Sequence, residues 1–266
     1  MDLTVRQHAQ QQWNSRACGQ LEGDQKTLEY FERVEQDRYR QQPWMHDYFK
    51  FERYAGMKVL EIGVGQGTDA VQFARAGAEY HGVDITQNHL SLAARNFSLR
   101  GLSADLREAD ATALPFPNDY FDCVYSFGVL HHIPEMDACL AEIRRVLKPN
   151  GHLRMALYHK WSAFHLFCKL IGNGLWHGKL FTLGYAGLLS TIEAGADGKS
   201  IKPYVKLYSR REAKKILQGW KVEDVSVHQL HYDHFYPAIL GKALSPLIPM
   251  LERRLGWYVA CQATKP

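Results

Sequence analysis

Lys58 to Ala70 reads Lys-Val-Leu-Glu-Ile-Gly-Val-Gly-Gln-Gly-Thr-Asp-Ala, and few folds accommodate such a stretch. Val59, Leu60 and Ile62 form a short apolar run of the kind that becomes a buried parallel strand. Three glycines at alternate positions, Gly63, Gly65 and Gly67, follow at once. Glycine at the carboxyl end of a strand lets the backbone turn sharply and approach a ligand, before a helix that starts near Thr68 or Asp69. The spacing narrows the ligand. A dinucleotide loop reads G-x-G-x-x-G and seats a pyrophosphate on the helix N-terminus, whereas this loop is G-x-G-x-G with Glu61 two residues ahead of it. That carboxylate would repel a pyrophosphate. It suits a ligand with an amino-acid head group and a positive charge.

The continuation keeps the same period. A helix from about Asp69 to Ala76 leads to a second strand, Ala78 to Val83, with Asp84 at its carboxyl end. About 20 residues beyond a glycine loop, a carboxylate can accept both ribose hydroxyls of an adenosine; the same residue could instead cap the helix that follows. Leu90, Ala93, Ala94 and Phe97 recur at helical spacing within Asn88 to Leu99. Leu106 to Ala109 is a short third strand before Asp110, and Tyr120 to Phe127 is a fourth that ends in Gly128-Val129-Leu130-His131-His132-Ile133-Pro134. Leu140, Ile143, Val146 and Leu147 mark an amphipathic helix ending at Lys148-Pro149-Asn150-Gly151, with a fifth strand at His152 to Leu157.

This succession resembles the class I S-adenosylmethionine (AdoMet) dependent methyltransferases, strongly over Val59 to Leu157 and weakly at the terminal strands. The resemblance implies an α/β, Rossmann-like fold with a seven-stranded, mostly parallel sheet, an antiparallel last strand, a helical N-terminal lid and helical insertions. It implies AdoMet as cofactor, held by Glu61, Gly63, Gly65, Gly67, Asp84 and Ile85, with Asp110 and Ala111 at the adenine and Ser126 nearby. Asp110 could equally form a turn ahead of the prolines. Tyr39 and Arg40 of the leader are the lid residues expected at the methionine end.

The remaining chain divides around this core. Residues 1–50 form the lid, with an expected helix from about Lys26 to Arg40 that carries Leu28, Phe31 and Val34 on one stripe. Residues 51–157 are the AdoMet-binding core and 158–209 a cap over the acceptor site. Residues 210–266 complete the sheet with strands at Lys221 to Val227 and Trp257 to Ala263. The connection His228 to Gly256 is too long for an ordinary hairpin loop, and its apolar pattern suggests a helix broken by Pro246 and Pro249.

Composition bounds the function. Hydrophobic and charged fractions of 46% and 23% are those of a folded globular chain, and a net charge of +4 is too mild to argue for nucleic acid. Five scattered cysteines with no C-x-x-C pair fit a reducing compartment. Met1 to Gln7 lacks a signal-like apolar run and no stretch is long enough to span a membrane, so a cytoplasmic location is expected. From Lys199 to Lys221 eight cations face the single Glu212. They are either a solvated helix face or, with Lys160, the contacts for an anionic group on the acceptor.

In a methyltransferase of this kind alignment matters most, and a general base is needed only where the acceptor must lose a proton. His131 and His132 after the fourth strand and Tyr158 and His159 after the fifth are the candidates for that base. One of the two histidines is expected to face the acceptor and the other to cap or pack, and His131, Tyr158 and His159 are the expected catalytic residues. No metal is expected, although His228, His231, Asp233 and His234 are of ligand type. The expected acceptor is a small molecule with an apolar or planar body and an anionic group. An RNA or protein methyltransferase, or a protein that only binds the cofactor, are the alternatives.

Overall fold

The computed structural model describes residues 7, 10–11, 13–14, 19–193 and 204–266. Lys199 and Lys202 of the basic stretch lie outside the described residues. Seven strands form one sheet in the order β3-β2-β1-β4-β5-β7-β6. They are β1 (Lys58–Ile62), β2 (Glu79–Asp84), β3 (Asp105–Glu108), β4 (Phe121–Phe127), β5 (Leu147–Tyr158), β6 (Lys221–His228) and β7 (Tyr258–Thr264). β1 pairs in parallel with both β2 and β4, and β7 lies antiparallel between β5 and β6. The strand order reverses between β1 and β4, which opens the ligand crevice of such sheets at their carboxyl ends.

Helices cover both faces. α1 (Leu28–Gln41) and α2 (Trp44–Phe49) precede the sheet; α3 (Thr68–Arg75), α4 (Gln87–Leu99) and α5 (Met136–Val146) connect its parallel strands. Strand residues alternate between two apolar clusters: Leu153, Met155 and Leu157 of β5 lie in one, Ala156 and Tyr158 in the other. β1 is buried on both faces, which is why its sequence is apolar without alternation.

Local chemistry sets the boundaries. The Thr27 side chain accepts from the Tyr30 amide and starts α1, burying Tyr30, Phe31 and Val34 while Leu28 stays exposed. The expected stripe therefore turns by a residue, with Tyr30 inside in place of Leu28. α5 passes straight into β5 at Leu147, earlier than the expected His152. Lys148-Pro149-Asn150-Gly151 lies in the sheet beside a register shift opposite Phe121 and Cys123, and Asn150 takes the left-handed conformation at φ 63°.

The leader is docked onto the sheet. Tyr48 donates to Asp224 at 2.8 Å, Gln262 donates to the Tyr48 carbonyl at 2.7 Å, and Trp44 stacks on His228 with centroids 4.2 Å apart. After β5 the chain forms a π-helix, Phe164–Trp176, and then α6 (Lys179–Ser190), kinked at Gly184. α7 (Arg210–Ile216) opens on a capping box of Ser209 and Glu212 and leads into β6. Between β6 and β7, α8 (Ala238–Ala243) and α9 (Ile248–Leu255) flank a short turn at Ser245–Leu247, the expected break at the prolines.

Candidate functional site

The glycine loop closes β1 with three left-handed residues, φ 83° at Gly63, 56° at Gly65 and 76° at Gly67. At Gly63 a Cβ would fall 2.2 Å from the Val129 side chain, so only glycine lets the loop after β1 meet the loop after β4. A cavity of about 500 Å³ opens above this meeting point. Glu61, Gly63, Gly65, Asp84, Ile85, Asp110 and Ala111 line one part of it. Phe127, Tyr158, Phe164, Trp257 and Tyr258 form an aromatic wall elsewhere.

Asp84 gathers four donors. Oδ1 accepts from the Thr86 amide (3.0 Å) and hydroxyl (2.9 Å), Oδ2 from the Gly65 amide and from His89 Nδ1, each at 3.1 Å. Burial alone would raise its pKa, but His89 and these backbone donors outweigh burial and hold it below the ordinary carboxylate value. The opposite ring nitrogen, His89 Nε2, is buried without a partner, and His89 lines the cavity. A buried polar atom of this kind calls for a ligand or water. At the end of β3, Asp110 accepts from the Thr112 amide at 2.9 Å and hydroxyl at 2.8 Å, which fixes its carboxylate at the cavity wall.

Glu61 and Asp69 form a second acidic centre. Asp69 accepts from Arg38 (2.6 and 3.2 Å), from Tyr39 at 3.0 Å and from Tyr125 at 2.8 Å. Glu61 accepts from the Tyr80 hydroxyl at 2.7 Å. Burial, and then the charge of Asp69, raise the Glu61 pKa well above its ordinary 4.5. A raised folded value means that the folded chain binds more protons than the unfolded one above pH 4.5, so this stability term is full below 4.5 and is lost as pH rises through the folded value. Glu61→Gln is therefore expected to raise the melting temperature of the cofactor-free protein at neutral pH while weakening its hold on a cationic ligand. Thermal melts and calorimetry check both; a lower melting temperature would contradict the assignment.

Several expected residues lie elsewhere. Arg40 is exposed and pairs with Asp37, because two residues along a helix turn its side chain away; Arg38 is the cavity arginine, with its guanidinium 4.3 Å from the Phe127 centroid. Tyr39 meets Asp69 and not the cavity wall. Ser126 is fully buried and donates to the Ile62 carbonyl at 2.9 Å. At Gly67, which caps the start of α3, a Cβ would fall 3.2 Å from Ala93. His159 binds the Gly256 carbonyl through Nδ1 at 3.0 Å. His131 is fully buried beneath Tyr158, ring centroids 3.8 Å apart, whereas His132 lines the cavity.

Three of the cations that offered either a solvated face or contacts to an anionic acceptor group have other partners. Lys160 pairs with Glu212 at 3.3 Å, Arg210 donates to the Val225 carbonyl, and Lys206 lies over the Tyr208 ring. Among the described residues, Arg38 is the only lysine or arginine on the cavity wall. Of the four ligand-type residues at and beyond the end of β6, His234 lines the cavity and His228 stacks on Trp44. Among the described residues no cluster of three or more histidine, cysteine or carboxylate side chains is arranged to hold a metal.

Arg38, Asp69, His89, Gln42 and Gln229 were not read from the sequence. For Arg38 a signal existed: Val34, Arg38 and Gln41 share one helical face at i, i+4 and i+7, and all three line the cavity. Gln229 had none, since its placement depends on a left-handed backbone (φ 67°) at the end of β6.

The sequence model of the methyltransferase domain family matches residues 60–155. Methyltransferase GfsG of Streptomyces halstedii is 37% identical over 114 residues, 41% of this chain and 40% of that protein. The ubiquinone biosynthesis O-methyltransferase of Bartonella bacilliformis is 30% identical over 121 residues, 45% and 49% of the two chains. The ubiquinone/menaquinone biosynthesis C-methyltransferase UbiE of Bordetella avium is 45% identical over 102 residues, 37% and 40%. The chain thus spans less than half the length of these relatives. Among solved structures, the [4+2]-cyclase SpnF superposes over 98% of this chain and 96% of its own with a TM-score of 0.60 at 20% identity. An S-adenosylmethionine dependent methyltransferase from Mesorhizobium loti covers 80% and 92% with a TM-score of 0.53 at 17% identity, and these two likenesses speak for the fold. Sequence match over residues 60–155, sheet order and the glycine loop beneath Asp84 agree, and together they support a class I S-adenosylmethionine-dependent methyltransferase core in this chain.

Proposed function

We propose that this chain moves the methyl group of AdoMet to a small molecule with a planar apolar body and a proton-bearing group that meets His132. The observation that carries the reading is the single cavity in which Asp84, Asp110 and the glycine loop share walls with His132, Tyr158 and Trp257. Asp84 and His89 would hold the ribose, Asp110 the adenine amine, Glu61 the ammonium and Arg38 the carboxylate. Bound AdoMet supplies a methyl group already activated by the sulfonium, so the chain needs no nucleophile of its own.

His132 is suited to accept a proton. Its Nδ1 lies 2.8 Å from the Tyr204 carbonyl, which only accepts, so the ring proton is assigned to Nδ1 and the lone pair to Nε2. Nε2 is buried without a partner. Burial lowers the pKa of the ring, more than Glu193 and the Tyr204 carbonyl raise it, which keeps His132 neutral and able to take a proton near neutral pH.

Two more acceptor atoms support a donor-bearing substrate. Gln42 Oε1 and Gln229 Oε1 are buried, unpartnered, and belong to residues of the cavity wall. The backbone of Gln229 is clamped on both sides, its amide by Glu252 at 2.8 Å and its carbonyl by the Trp257 amide at 2.8 Å. Hydroxyl groups on an aromatic or similar ring would satisfy all three atoms while the ring packs on the aromatic wall. Two of the relatives named above are methyltransferases of ubiquinone or menaquinone biosynthesis, whose products are small molecules.

Incubation with methyl-labelled AdoMet and a fractionated small-molecule extract, with and without nuclease and protease, tests the reading. Label is expected in a digestion-resistant small product. Label in macromolecules would favour RNA or protein as acceptor. Bound cofactor with no label transferred would point to non-methyl chemistry on this fold, as in the neighbour named a cyclase.

A further inference from the structure

From Trp161 to Ile192, and again from His234 to Leu251, the chain contains no aspartate or glutamate. These two acid-free stretches come together in space. Phe167 and Phe235 lie with ring centroids 5.1 Å apart, and Gly172 sits under the Tyr236 ring, where a Cβ would be 3.1 Å away. Phe167, Leu244, Ile248 and Leu251 pack around buried Ala163, Leu230 and Phe235.

The outside of this pair is apolar as well. Trp176 is 77% exposed, Phe181 79%, Ile239 75% and Met250 67%, and Leu175 and Leu247 are exposed beside them in sequence. Every residue from Phe181 to Ala186 is exposed. Single exposed apolar side chains are ordinary, but a set of this size on two packed insertions marks an interaction surface. Exposed cations lie in and next to the same stretches: Lys179, Lys242, Arg253 and Arg254.

We propose that the paired insertions seat the protein on an anionic lipid surface. Tryptophan, phenylalanine and leucine at the outside would enter the interfacial layer, and the four cations would face anionic headgroups. A second copy of the chain is the poorer occupant, since it brings the same cations and no carboxylate from these stretches to meet them. No helix among the described residues is long and apolar enough to cross a membrane, so the contact lies on the surface. Phe164 and His234 of the same insertions line the cavity, so the segments with the apolar exterior also contribute to its wall. The docking goes beyond the proposed methyl transfer and stands without it, because it is read by vesicle binding and not by turnover.

The test is co-sedimentation of the full chain with vesicles of phosphatidylcholine alone or mixed with phosphatidylglycerol. The chain is expected to sediment with the mixed vesicles, to bind neutral ones several-fold less, and to be released by raised salt. Trp176→Ser with Phe181→Ser, both outside the cavity wall, should cut the bound fraction about tenfold while the circular dichroism spectrum stays unchanged. Lys179→Glu with Lys242→Glu should remove the preference for anionic vesicles. No sedimentation with mixed vesicles, equal binding to both kinds, or binding that survives both double substitutions would overturn the proposal. So would a wild-type dimer in sedimentation velocity that the Trp176 and Phe181 substitutions abolish and that excludes vesicles.

Discussion

Asp84→Ala is expected to weaken AdoMet binding by about 10- to 100-fold, the range that follows from losing charge-assisted hydrogen bonds. Four donors converge on this carboxylate, and the substitution strands the Gly65 amide and frees His89 to turn. One of the four is the Thr86 hydroxyl, a donor whose rotation would free a lone pair of Asp84 Oδ1 for a ribose hydroxyl. Calorimetry on folded variant measures the loss; unchanged affinity would remove the ribose assignment. A pH arm separates charge from shape. The folded pKa of Asp84 lies below the ordinary 3.8, so its contribution to stability is present above that pH and is lost as pH falls through the folded value. The melting temperatures of wild type and Asp84→Asn should therefore converge in acid below 3.8.

His132→Ala is expected to lower turnover by about 10²- to 10⁴-fold with AdoMet affinity retained. The effect belongs to the chemical step, so kcat should fall more than KM changes. Because burial sets the His132 pKa below 6.5, the acid limb of the wild-type pH–rate profile should lie below 6.5 and should be absent from the variant. His131→Ala is the control. His131 has no place on the cavity wall and supports Tyr158 from behind, so its loss should act through packing and leave the acid limb where it was. If the two variants behaved alike, the assignment of the base to His132 would fail.

The parts of the site that were legible are those fixed by local chain geometry. Val59 to Ile62 reads as a buried strand, and the alternating glycines after it read as a sharp turn at its carboxyl end. Asp84 closes β2 and Asp110 follows the end of β3 by two residues, and both line the cavity. For side chains carried by helices and turns, small angles separate those that line the cavity from those that do not. Arg38 and Arg40 differ by about 200° around α1, and only the seating of α1 on α3, through Asp69, selects between them. His131 and His132 are neighbours on one tight turn, and the Tyr204 carbonyl, more than seventy residues away in sequence, turns His132 to the cavity.

By itself the sequence determined the order of strands and helices, the glycine loop and the two strand-end acids, because backbone conformation and apolar periodicity are encoded over a few residues. Tertiary structure alone decided which arginine, histidine and glutamine side chains face the cavity, and that the insertions keep an apolar exterior. Those outcomes depend on the rotation of one element against another, set by contacts such as Arg38 with Asp69 and Gln229 with Trp257 between residues far apart in the chain.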